Sequence, residues 1–272
     1  MKPPRSLTIS AATTRILTAL AICASILSFT QPSPVTAADQ VLGGTAVEGS
    51  LRIRVTDSGQ MGVERYMSGS WVSQVKSASP GDKGSKLYID GTSYRFGYYD
   101  GVPATATGNS KSGSTITTTW TAGSTSVTQK TNYQNGKDYY RLEWDIKNTG
   151  GADLNDLRFF HGEDTYMAGG DLGAGFWENA NHSIGVYKTT SGDQQRMLLQ
   201  GITPSANHDS REFYGITGSV QTDNRLFNLI NISEATDNGY ALEWRKDVLT
   251  PGETWTIVAY EKFYNAPVTA LS

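Results

Sequence analysis

From about residue 39 onward, apolar and polar positions alternate with a period of two again and again, and helical periodicity is almost absent. Leu51-Arg52-Ile53-Arg54-Val55 sets three apolar side chains on one face of a strand and two arginines on the other. Residues 86–90 and 93–99 flank Asp90-Gly91, a pair that tolerates the positive φ angles of a tight hairpin turn. Residues 115–121 are rich in β-branched side chains, which suit a pleated strand. Further strands are predicted over 124–131, 139–146, 154–161, 183–187, 196–200, 212–220, 225–232, 240–245 and 254–262. Turn signals separate them. The pattern predicts an all-β chain folded as a single antiparallel β-sandwich or jelly roll.

Two of these strands echo one another. Tyr140-Arg141-Leu142-Glu143-Trp144 and Tyr240-Ala241-Leu242-Glu243-Trp244 share Y-x-L-E-W, and each closely follows an Asn-Gly pair. In both, Tyr, Leu and Trp fall on one strand face and Glu on the other. Two core strands that met the same packing demand would read this way, and so would the halves of an old duplication.

The first 38 residues follow a different grammar. Lys2, Arg5 and Arg15 precede a 14-residue apolar run from Ile16 to Phe29, and Pro32, Pro34 and small residues through Ala37 and Ala38 come next. This is the pattern of a secretory signal peptide, too short in its apolar run for a membrane span, with cleavage expected near Ala37 or Ala38. Residues 39–272 are then the exported domain, with no membrane insertion after cleavage. The only cysteine, Cys23, lies inside the apolar run, so residues 39–272 contain none and cysteine catalysis or disulfides are excluded.

Residues 1–38 hold three basic and no acidic residues, which leaves 20 Lys and Arg against 26 Asp and Glu, a net charge of −6, beyond them. A mildly acidic chain disfavours nucleic acid and anionic membranes. No G-x-S-x-G, G-x-x-x-x-G-K or H-E-x-x-H motif occurs.

The candidate chemistry sits in 159–187. This stretch has no Lys or Arg, but it holds Glu163, Asp164, Asp171 and Glu178, His161 and His182, and five glycines between Gly162 and Gly175. It reads as a long loop, and such loops in compact domains are often functional. Glu163, Asp164 and Asp171 with freed backbone carbonyls suit Ca²⁺, although the spacing is not that of an EF-hand. No cofactor is required by the pattern. Catalysis is the second reading: His161 or Tyr166 as the base of a polysaccharide lyase, or Glu163, Asp164 and Glu178 as the carboxyl groups of a glycoside hydrolase. The plainest reading is that the acids satisfy backbone donors in glycine-rich turns. A second polar loop, 201–211, carries His208.

Aromatics are abundant beyond residue 38, with 6 Trp, 14 Tyr and 7 Phe. Trp71, Tyr98, Tyr99 and Trp177 lie near turns, where exposed rings can stack on sugars. Finally, Y-x-L-E-W-x-I-K-N-T-G and the closing L-T-P-G-E-T-W-T-I-V-A-Y resemble the late strands of secreted carbohydrate-active sandwiches, including those built like the mutarotases. The expectation is a secreted protein that binds, and in one version modifies, an extracellular polysaccharide. A structural or adhesive cell-surface protein is the alternative.

Overall fold

A computed structural model describes residues 38–76, 82–167 and 169–267. Apart from Ala38, the expected signal peptide lies outside the described residues. The chain opens with a meander of β1 (Gln40–Gly43), β2 (Leu51–Val55), β3 (Met61–Met67) and β4 (Ser70–Ser73), which forms a four-stranded sheet in that order. It continues through β5 (Lys83–Ile89), β6 (Thr92–Gly97), β7 (Val102–Pro103), β8 (Thr105–Ser112), β9 (Thr115–Ala122), β10 (Thr125–Asn132) and β11 (Tyr139–Asn148). After β12 (Leu154–Asp164) come β13 (Ala174–Glu178), β14 (Ser183–Thr189), β15 (Asp193–Gly201) and β16 (Asn207–Glu212). A short helix α1 (Phe213–Gly218) precedes β17 (Leu229–Ile230), β18 (Asn238–Leu249) and β19 (Thr254–Pro267).

The strands beyond β4 form two large sheets. One has eight strands in the order β13-β14-β15-β19-β11-β10-β9-β8, and the other has seven in the order β17-β16-β18-β12-β5-β6-β7. The chain is thus nearly all β, as its alternation predicts, but it has three sheets rather than one sandwich. The reason is burial. The meander turns Leu42, Leu51, Ile53, Val55, Met61 and Val63 into the same core as Phe96, Trp120 and Trp144, so a third layer covers apolar surface that two sheets leave open. Nor is pairing wholly antiparallel, because the two-residue edge strands β7 and β17 pair in parallel with β6 and β16.

Local chemistry accounts for the elements. Asp90 and Gly91 adopt φ of 48° and 86°, the turn that joins β5 to β6. Residues 212–220, expected as a strand, instead form α1 and a π-helical turn. Phe213, Ile216 and Val220 are buried at i, i+3 and i+7, so a helical stripe prevails over the β-branched composition. With Tyr99 and Leu226, this segment covers Phe160 and Ala241 on the outer face of the seven-stranded sheet. Lys86 Nζ donates to the Val220 carbonyl at 2.5 Å, which anchors the end of the segment. Gly162 is needed here, since a Cβ would stand 2.7 Å from the Tyr99 hydroxyl and 2.4 Å from the Tyr240 carbonyl. The expected strand over 225–232 shrinks to β17.

The two Y-x-L-E-W strands lie in opposite sheets, β11 in the eight-stranded and β18 in the seven-stranded one. Tyr140 lies across from Glu261 of β19, and Tyr240 across from Glu163 of β12. Each tyrosine hydroxyl donates to its glutamate. Lys83 of β5 bridges the two, with Nζ 2.5 Å from Glu163 and bonded also to Glu261. Behind them Trp144 and Trp244 pack at 6.0 Å. All of Lys83, Glu163 and Glu261 is fully buried.

Charge in this interior is held by pairing. Burial opposes the Lys83 ammonium, but the two carboxylates hold its pKa above the ordinary value. Burial raises Glu163 to about 7, while Lys83 and His161 outweigh burial and hold Glu261 near 2. Removing one partner of such a set leaves uncompensated charge. Lys83→Met is therefore expected to lower the free energy of urea unfolding by ~3–5 kcal/mol. Adding Glu163→Gln and Glu261→Gln to it should recover part of that loss. An unchanged midpoint in Lys83→Met would contradict the pairing.

Candidate functional site

The expected loop at 159–187 begins as strand. His161 and Glu163 belong to β12 and point into the sandwich, both fully buried. His161 Nδ1 shares a hydrogen bond of 2.8 Å with Ser85 Oγ, its Nε2 lies 3.6 Å from Glu261, and its ring packs 4.8 Å from Trp144. Burial, the first cause, lowers its pKa and keeps the ring neutral. As folded, neither residue can touch a polymer in solution. Tyr166 lies beyond the strand and donates to the Gly169 carbonyl at 3.1 Å, with Lys76 Nζ 5.7 Å over its ring.

The three carboxylates considered for Ca²⁺ part company. Glu163 is held by Lys83, Asp171 is paired with Lys76, and Asp164 faces Asp237. Among the described residues no group of three His, Cys, Asp or Glu side chains is placed to hold a metal ion. Asp164 is nonetheless unusual. Burial first, then the Asp237 and Asp82 carboxylates, push it up to about 8, against the pull of Lys76. Its raised pKa favours the protonated form near neutral pH.

The four aromatics also separate. Trp71 sits on edge strand β4 against Tyr66 at 5.3 Å, with the Arg52 guanidinium 4.9 Å from its ring. Tyr99 is fully buried under α1, and Tyr98 packs beside it against Phe213. Trp177 stacks flat on His208, with ring centroids at 3.7 Å and planes at 8°, and His182 lies 6.1 Å from it. Two of the three histidines thus meet at Trp177, where the edges of the two large sheets close, while His161 stays in the core.

The outer face of the eight-stranded sheet carries what the loop does not. Register places side chains in rows across it. Tyr187, Arg196 and Tyr264 form one row. Phe176, Gly185, Leu198, Lys262 and Tyr139 form the next, and Glu178, Ser183, Gln200, Tyr260 and Arg141 the third. Arg196 is sandwiched at 5.2 Å from Phe176 and 5.8 Å from Tyr187, and lies 3.6 Å from Glu178. Tyr139 and Tyr260 meet edge-on at 5.9 Å. Together with Gln200, Ile202 and Lys262 they line an open groove of about 300 Å³, within the size range of ligand sites. Of the residues singled out in the sequence, only Glu178 lies on this face. The signal was present in β19, where Tyr260, Lys262 and Tyr264 recur at every second position.

No family model matches this chain, and no curated protein matches it. Its fold is similar to several solved structures at identities too low to show more than fold. A bacterial glucoamylase complexed with acarbose is 11% identical, with a TM-score of 0.54, over 85% of this chain and 33% of that one. A polysaccharide lyase is 11% identical, with a TM-score of 0.50, over 80% and 32%. A heparinase III is 7% identical, with a TM-score of 0.41, over 81% and 33%. The chain thus spans about a third of the length of these carbohydrate-active enzymes.

The acidic pair at the end of β12 has a pH signature. A carboxyl whose folded pKa is raised stabilises the fold at low pH, and this contribution is lost as pH rises from the ordinary carboxylate range through about 8. Asp164→Asn imitates the protonated form. The melting temperature of the variant should therefore gain on that of the parent between pH 6 and pH 9. Parallel curves over this range would contradict the raised pKa of Asp164.

Proposed function

We propose that this protein is exported and binds an extracellular polysaccharide along the outer face of its eight-stranded sheet. The observation that carries this reading is the row arrangement of half-buried aromatic rings beside polar groups on one rigid face, with the Tyr139–Tyr260 groove at its centre. Ring faces stack on the C–H faces of sugars, while Gln200, Arg141 and Glu178 offer donors and acceptors to hydroxyls. A sheet holds such groups in fixed register, so little order must be gained on binding. The likeness in fold to a glucoamylase and a polysaccharide lyase supports a carbohydrate-related role. The basic, apolar and small-residue pattern of residues 1–38 supports export.

The test is affinity electrophoresis and co-sedimentation of the purified protein with a panel of plant, algal and animal polysaccharides. Reducing ends and unsaturated uronate products are measured in parallel. At least one polymer should retard the protein, and Tyr139→Ala or Tyr260→Ala should weaken that binding by roughly tenfold, the cost of removing a well-placed aromatic contact. Product formation would extend the reading to a lyase or hydrolase. Absence of any retardation would overturn it in favour of a structural or adhesive protein.

A further inference from the structure

The charges on the outer sheet face are matched in pairs except at two lysines, Lys147 towards the end of β11 and Lys262 in the groove. Arg141 pairs with Glu143 at 2.5 Å, and Lys130 pairs with Glu143 at 2.7 Å and Asp145 at 3.0 Å. Arg196 faces Glu178. Lys262 lines the groove between Tyr139, Tyr260 and Gln200, yet it forms no ion pair or hydrogen bond with a described residue. Its one described interaction is with an aromatic ring, Nζ lying 4.5 Å over Tyr264. That contact fixes the ammonium beside the groove without neutralising it or using its three N–H donors.

From this unmatched ammonium in an aromatic groove, we infer that the polysaccharide bound here is anionic, its carboxylate or sulfate group meeting Lys262 while its ring lies against Tyr260. This rests on the proposed glycan-binding reading and narrows it. A carboxylate or sulfate accepts the strong, charge-assisted hydrogen bonds that a neutral hydroxyl does not match. The rest of the chain does not supply the attraction, since residues 39–272 carry a net charge of −6. At physiological ionic strength those distant charges are screened beyond ~8 Å, so local complementarity at the groove decides the sign of the ligand.

The experiment compares native-gel retardation and titration calorimetry on the full protein with polygalacturonate (carboxylate), heparin (sulfate and carboxylate), dextran sulfate (sulfate) and neutral xylan, galactan and dextran. Lys262→Met is compared with Lys147→Met. Lys147 faces Thr254 in the register, eight positions from Lys262 along β19, or ~26 Å at the rise of a strand. An anionic polymer should bind most tightly. Lys262→Met should weaken it by ~10-fold or more, the factor for one charge-assisted hydrogen bond, at an unchanged melting temperature. Lys147→Met should bind as the parent does. Polygalacturonate alone would assign the carboxylate, and dextran sulfate alone the sulfate. Equal losses in the two variants would mean diffuse polyanion attraction and overturn the inference. Equal or tighter binding of a neutral polymer, indifferent to Lys262, would overturn it while leaving glycan binding intact. Binding of no polymer at all would instead overturn the glycan-binding reading beneath it.

Discussion

A lysine buried between two glutamates holds the interior of this fold together. Lys83 lies in the seven-stranded sheet and Glu261 in the eight-stranded one, so the ion set crosses the sandwich and ties its two layers at one point. The hydrophobic effect itself is non-directional, whereas a buried ion set holds one geometry. A shift that parted Lys83 from Glu163 or Glu261 would leave charge in a dry interior, at a cost of several kcal/mol. Tyr140 and Tyr240 complete the arrangement by donating to the carboxylates from strands in opposite sheets. The repeated Y-x-L-E-W therefore has a physical meaning. Each copy supplies one tyrosine for a glutamate on its neighbouring strand, and one ammonium serves both.

This anchoring separates interior from surface chemistry. Lys83, His161, Glu163 and Glu261 all lie in the core, so two of the catalytic candidates read from the sequence, His161 and Glu163, are enclosed between the sheets. The outer face of the seven-stranded sheet is closed by α1 and its π-helical turn, tied down by Lys86. The outer face of the eight-stranded sheet keeps its aromatic rows accessible, and its regular register spaces them. The β11–β19 register holds Tyr139, Tyr260 and Lys262 in one groove, the fixed geometry that the proposed binding would use.

Much of the fold was legible in the chain. Alternation marked most of the strands, and Asp90-Gly91 marked its hairpin. The three-sheet layout was not legible, because the apolar stripe of β2 reads the same whether it faces one sheet or two. Residues 212–220 misled because Ile216, Thr217 and Val220 are β-branched, although Phe213, Ile216 and Val220 already stood at helical spacing. The acids near residue 163 pointed to a loop because their partner, Lys83, is 80 positions away and pairing at that distance leaves no local trace. Of the sheet-face site, Glu178 was singled out, and Tyr260-x-Lys262-x-Tyr264 was readable as a stripe. Its meeting with Tyr139 and Gln200 depends on strand order, which a single sequence does not display.

The most direct test of the central claim is a map of backbone amide resonances of the labelled protein, titrated with short oligomers of the tightest-binding polysaccharide. The account predicts shifts concentrated in β11, β13, β14, β15 and β19, strongest around Tyr139, Gln200, Tyr260 and Lys262. Shifts centred instead on residues 164–173, or on Trp71 in the four-stranded sheet, would contradict it.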